Sequence, residues 1–270
     1  SGGKELEIYP KNAYTEDVNS PISFSWGHID NATFNYQESF LEFRVRLRRT
    51  PQLTAPLEDA VRGVNAFGHS MWKKIELFAN NNKLHSNMSD YGLKHIIDTM
   101  LETGSDSTYN DSLMGYKKRV SNSYNLDTDG ANNGTFLTHS YPLTDYTTFI
   151  IHPNLDFFRT SVNLVSIPNM TWELRFSPND VEYLANANMN WADVATSTAQ
   201  KYKLQLEPGS IKWHLRYDRM TEDAYEAQLS QVMLMRIPYR VWYKPTVIRT
   251  IPIPAATSHI KEDNLFPGQK

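Results

Sequence analysis

Hydrophobic and polar residues alternate most cleanly between Phe40 and Arg48, where Leu41, Phe43, Val45 and Leu47 are interleaved with Glu42, Arg44, Arg46 and Arg48. Successive side chains of a strand point to opposite faces, so this spacing predicts a half-buried strand with the four apolar residues towards a core. Shorter alternations occur at Ile22-Phe24-Trp26, Thr171 to Phe176, Tyr202-Leu204-Leu206 and Ile211-Trp213-Leu215-Tyr217. Turn formers such as Pro178 and Pro208-Gly209 bound most of them, as expected of strands. Ile237 to Tyr243 and Val247 to Ile253 predict two more, the second at a sheet edge because Pro252 and Pro254 cannot donate to a ladder.

Two segments follow a helical period instead. Over Asp90 to Thr103, Leu93, Ile96, Ile97, Met100 and Leu101 form one apolar stripe, with Ser89 placed to cap the start and Gly104 to end it. The stripe predicts that Ile96, Ile97 and Met100 pack on a sheet. Thr221, the acids Glu222 and Asp223, and the stripe Tyr225, Leu229, Val232, Met233 predict a second short helix whose acids complement its dipole. Between the periodic segments lie two long polar stretches, about 105–148 and 179–200, expected to be loops at the ends of a sandwich.

With 270 residues the chain is long enough to fill one large β-domain. Its 40% hydrophobic and 21% charged residues fit an ordinary globular protein, and it has no sustained apolar run of membrane-spanning length. Ser1 to Asn12 lacks the apolar core of a signal peptide. A net charge of -3 gives no general attraction for nucleic acid, and none is expected as a specific partner. The lack of cysteine removes disulfides, thiolate metal sites and cysteine nucleophiles together.

Candidate chemistry is sparse. Gly63 to Ser70, GVNAFGHS, has His69 where a phosphate-binding loop needs lysine, and reads as a connecting loop. Asp127-Thr128-Asp129-Gly130 begins like a calcium loop, but its glycine comes early and Thr138 stands where a bidentate Glu is required. Histidines such as His28, His69, His95, His152 and His214 lack metal-ligand spacing. Glu102, Asp106 and Asp111 read as a polar loop. Asn-x-Ser/Thr sites begin at Asn31, Asn87, Asn110, Asn133 and Asn169, and the count is close to chance. Arg44, Arg46, Arg48 and Arg49 could face nucleic acid or pair with acids on a neighbouring strand, and the net charge favours pairing. The expectation is therefore no catalytic residue, no cofactor and no metal.

The segment FGHSMWKKIELFANNNKL at Phe67 to Leu84 resembles the double jelly-roll major capsid proteins of the Polinton (Maverick) elements and adintoviruses. The resemblance continues in order through YGLKHIIDTMLETGS at Tyr91 to Ser105, NLDFFRTSVNLV at Asn154 to Val165, WELRFS at Trp172 to Ser177, and HIKEDNLFPGQ at His259 to Gln269. It implies an all-β jelly-roll sandwich of two facing antiparallel sheets with two short accessory helices, the first of two such rolls. It also implies a structural role in a virion, assembled inside the host cell, as a self-associating trimer that contacts other capsid proteins without inserting into membranes. Asn264, Leu265 and Phe266 would lie closest to the second roll, and a chain ending at Lys270 would then self-associate through that side. The rival reading is a carbohydrate-binding or adhesive jelly roll, with Tyr109, Asn110 and Asp111 as sugar-contacting candidates.

Overall fold

The strand expected at Phe40 to Arg48 is the second half of a longer one. In the computed structural model, Ala32–Arg49 forms a single strand of 18 residues, β3. The structure describes residues 3–14, 20–49, 61–64, 66–86, 90–102, 136–140, 146–159, 163–179, 184–186 and 202–233. The strands expected at Ile237 to Tyr243 and Val247 to Ile253 lie outside these residues, as do Ser89 and Gly104.

β3 is the spine of the larger sheet. On it pair β13 (Lys212–Arg219), β12 (Tyr202–Leu206), β8 (Thr147–Ile151) and β9 (Leu164–Val165), and β1 (Lys4–Ile8) adds to β13, all antiparallel. A second sheet runs β2 (Ile22–Trp26), β10 (Trp172–Pro178), β5 (Trp72–Ala79) and β6 (Asn82–Ser86). The chain passes back and forth between the sheets, β1 and β3 in one and β2 and β5 in the other, which is the crossover pattern of a jelly roll. β5 and β6 form a tight hairpin, turned by Asn80 and Asn81 at φ 46° and 66°, which asparagine tolerates well.

A sandwich requires β3 to keep one face inward along its whole length, and its sequence does so in two phases. Phe34 and Tyr36 are buried in the first part, Leu41, Phe43 and Val45 in the second. The change of parity occurs at a bulge: two steps along β13, His214 to Arg216, correspond to five along β3, Phe40 to Asn35. The additional residues are held locally, since Ser39 Oγ donates to the Asn35 carbonyl (2.7 Å) and accepts the Arg216 N–H (2.9 Å). The expected strand begins immediately after this bulge. Leu41, Phe43 and Val45 face the core as expected, while the side chain of Leu47 is outside the described set.

The two inner faces meet through aromatic rings. Trp26 stacks near Trp213 (6.3 Å between centroids), Tyr36 meets Trp172 edge-on (5.7 Å), and Phe43 meets Trp72 (5.8 Å). Phe158, from the 3-10 turn Asp156–Arg159, stacks on Tyr36 at 5.0 Å. The first three contacts tie one sheet to the other, and the fourth seats the turn on β3.

Four-residue α1 (Phe67–Ser70) precedes β5, α2 (Tyr91–Glu102) follows β6, and α3 (Glu222–Met233) follows β13. Tyr225 fastens α3, donating its hydroxyl proton to the Ser166 carbonyl (2.6 Å). No described helix is long and apolar enough to cross a membrane. The stretches expected as long loops each contain a short strand, β7 (Phe136–Ser140) and β11 (Leu184–Asn186), which pair with β4 (Val61–Val64) in a small third sheet. Local polarity hid them, because their pairing is with segments far away in the chain.

Replacing Trp213 by Ala should lower unfolding stability by about 3–5 kcal/mol, because a fully buried ring would leave a cavity between the layers. Urea denaturation measures this, and a change below about 1 kcal/mol would be inconsistent with Trp213 spanning the core.

Candidate functional site

The helix expected at Asp90 to Thr103 forms at Tyr91–Glu102, but it docks on a different face from the one its apolar stripe indicates. Tyr91, Lys94 and His95 are buried, and Asp98 nearly so. Leu93 is 45% exposed, Ile97 37% and Leu101 80%. Ile96 is half-buried, and the side chain of Met100 is outside the described set. The expectation that Ile97 packs on the sheet is therefore corrected: the apolar ridge points outward, and a polar stripe at the same spacing points in.

That inward stripe is stable because its charges find partners. Lys94 Nζ lies 2.8 Å from Asp98 Oδ2 and 2.9 Å from Asp156 Oδ1, and Arg159 Nη2 lies 3.5 Å from the same Asp98 oxygen. Asn154 Nδ2 donates to Asp98 at 2.8 Å. Two cations and two carboxylates thus balance beneath the helix. Burial pushes the Asp98 carboxyl up, but the bonds from Lys94 and Asn154 and the nearby charges of Lys94 and Arg159 outweigh it and hold the group below its ordinary value. Tyr91 completes the mount: its oxygen accepts the Asn154 N–H (3.0 Å) and is hydrogen-bonded to His69 Nδ1 on α1 (2.7 Å). His69 also stacks on His95 at 3.4 Å between centroids.

A second polar cluster lies on the outer face of the larger sheet beside the β3 bulge. Pairing of β1 with β13 sets Glu7 opposite His214 and Glu5 opposite Arg216, bringing together residues more than 200 positions apart. His214 Nδ1 is 2.6 Å from Glu5 Oε1, and its Nε2 is 3.1 Å from Glu42 Oε2. Phe40 stacks on the imidazole at 4.4 Å. Ligand atoms of Glu5, Glu7 and His214 all lie within 4.8 Å of one another, a spacing that could hold a cation. Both carboxylates already carry one, Lys212 on Glu7 (2.9 Å) and Arg216 on Glu5 (2.8 Å), so the arrangement works as an ion-pair ladder tying the edge strand down. The hydrogen bond and charge of Lys212 hold the Glu7 carboxyl below its usual value.

The arginine row of β3 is partly engaged. Arg44 pairs with Glu207 (2.6 Å), as expected of a row that faces neighbouring acids, and Arg46 bonds Gln205 and lies over the Tyr146 ring (4.7 Å). The side chains of Arg48 and Arg49 are outside the described set. Asn264, Leu265, Phe266, Tyr109, Asn110, Asp111 and Asp127 to Gly130 also lie outside it.

No family model matches the sequence, and no curated protein does. Among solved structures the chain is similar to the quasi-atomic model of the PBCV-1 virus capsid, with 11% identity and a TM-score of 0.49, over 84% of this chain and 44% of that one. It is similar to the cryo-EM structure of the Sputnik virophage, with 10% identity and a TM-score of 0.48, over 82% of this chain and 49% of that one. For the Faustovirus major capsid protein the values are 10% and 0.46, over 86% and 56%. The chain spans about half the length of the solved structures it matches.

Two substitutions on α2 separate its faces. Lys94→Met should destabilise by about 3–5 kcal/mol, because Asp98 and Asp156 would remain buried without their shared cation. Part of that loss should be recovered at lower pH, because the buried Asp98 carboxyl, freed of the Lys94 bond and charge that hold it down, takes up a proton more readily. Ile97→Asp, on the outward face, should change stability by less than about 1 kcal/mol. Denaturant melts of both variants check the assignment, and a reversed order would mean that the helix docks through its apolar ridge.

Proposed function

We propose that this chain is a structural capsid protein of viral or transposon origin, of the Polinton and adintovirus type, and not an enzyme. On this reading it is the first roll of a double jelly roll that associates with further copies of itself, as a trimer in the intact protein, and with other capsid proteins. The capsomers so formed tile an icosahedral shell in the virion, with Asn264, Leu265 and Phe266 as contacts to the second roll.

The observation that carries the reading is where the resembling segments fall. Phe67 to Leu84 is α1, β5 and the start of β6, and Tyr91 to Ser105 contains α2. Asn154 to Val165 contains the 3-10 turn and β9, and Trp172 to Ser177 lies in β10. These elements touch one another: β10 pairs with β5, and the turn supplies Asp156 to Lys94 of α2. The resemblance thus follows a continuous packing unit and not scattered surface positions.

A shell protein also needs apolar surface to bury between subunits, since such interfaces draw their energy from desolvation. Leu93, Ile97 and Leu101 offer it on a helix held rigidly from below. Defined oligomers should appear by mass photometry and negative-stain microscopy as concentration rises. Changing Leu93, Ile97 and Leu101 together to Ser should weaken association about tenfold or more with little change in melting temperature. A chain that stays monomeric at high concentration and binds glycans on an array would favour the carbohydrate-binding alternative.

A further inference from the structure

The mount of α2 contains two buried imidazoles that the capsid reading does not use. His69 of α1 and His95 of α2 are stacked almost parallel, with 3.4 Å between ring centroids and 12° between planes. Both side chains are buried. Neutral rings pack well at this distance, but two imidazolium ions would be like charges face to face in a poorly solvated site. The Tyr91 hydroxyl is hydrogen-bonded to His69 Nδ1 at 2.7 Å, so the same ring that stacks on His95 also links α1 to α2.

Burial is the largest cause opposing a charge on either ring. Lys94 and Arg159 face His95 as cations, and the carboxylate that faces it, Asp98, is already shared among Lys94, Asn154 and Arg159. Asp156 is engaged by Lys94. His152, which follows β8, opposes a charge on His69, as does His95 itself. On the sheet side, the buried residues Trp72, Ile75 and Leu77 of β5 and Phe149 and Ile151 of β8 are apolar.

We propose that α2 is an acid-released cover: protonation of the stacked His69–His95 pair undocks α2 from α1 and β5 while the two sheets of the sandwich stay folded. Strand ladders hold the sheets, whereas the described hydrogen bonds and ion pairs that dock α2 run through side chains, so it belongs to the elements that can open separately. The sign follows from burial, which with the neighbouring charges keeps His69 well below its ordinary value and brings His95 down to about 3. Undocked imidazoles bind protons near pH 6.5, so the docked state is fully favoured above that pH and loses ground as the pH falls towards 3. At pH 5 the His95 shift alone makes undocking about 30-fold more favourable than at neutral pH. The inference does not depend on the capsid reading.

Amide hydrogen exchange of the whole chain at pH 7.5 and pH 5, corrected for the intrinsic rate, tests it. Protection of Tyr91–Glu102 should fall about 30-fold or more at pH 5 relative to Trp172–Pro178, which should keep its protection. Equal protection of α2 at both pH values, or a loss shared with β10, would overturn the proposal. In a His69→Asn/His95→Gln double variant the pH effect should vanish, and its persistence would also overturn it. If that variant does not fold, an NMR titration of the native imidazoles decides. Protonation of His69 and His95 with midpoints below pH 6.5, accompanied by loss of the docked α2 signals, supports the cover, and protonation of both rings with α2 still docked refutes it.

Discussion

β3 joins most of the larger sheet, and a sandwich tolerates only one arrangement of its side chains. A long strand between two layers must keep apolar residues on the inner face from end to end, and a slip by an odd number of residues would turn that face to solvent. The chain meets this constraint with a bulge that inserts three residues opposite β13, so that Phe34 and Tyr36 in one half and Leu41, Phe43 and Val45 in the other all reach the core. The aromatic contacts to Trp26, Trp72 and Trp172 depend on this parity change, because they are made by residues on both sides of it. The same bulge places Phe40 on the outer face, where it stacks on His214 within the ladder that secures β1.

α2 shows a different solution to burial. Its inner face is polar, and a buried cation is tolerated only where its partners are in place. Lys94 has both of its carboxylates within 3 Å, one on its own helix and one from the 3-10 turn. Because Lys94 is paired with both Asp98 and Asp156 beneath the helix, the mount is specific in orientation, and it leaves Leu93, Ile97 and Leu101 outward. A helix docked by its hydrophobic side would have no comparable surface to offer a neighbour. The arrangement therefore connects the packing of one element to the assembly role proposed for the chain.

The mount also combines stable and labile parts. Its ion pairs persist over the pH range in which Asp98 and Asp156 stay ionised, whereas the imidazole stack is favourable only while both rings are neutral. A weakly acidic medium therefore acts on α2 before it acts on the sandwich core, whose contacts are apolar.

Sequence alone determined the elements whose signal is local. The alternation at Leu41, Phe43 and Val45 and the helical period after Asp90 are each set by neighbours within a few residues. The all-β class follows from their sum. What only the tertiary structure decided is which of two equally spaced stripes on α2 goes inward. Leu93, Ile97 and Leu101 repeat every four residues, and Tyr91, Lys94, His95 and Asp98 follow the same helical period, so hydrophobicity favoured the wrong stripe. The deciding partners, His69, Asn154, Asp156 and Arg159, arrive from 22 residues before Tyr91 and 63 after it in the hydrogen bonds they make. The parity change in β3 and the meeting of Glu5, Glu42 and His214 were hidden for the same reason. Each is fixed by pairing between distant strands, and periodicity reports which side of an element is apolar but not what the opposite side will meet.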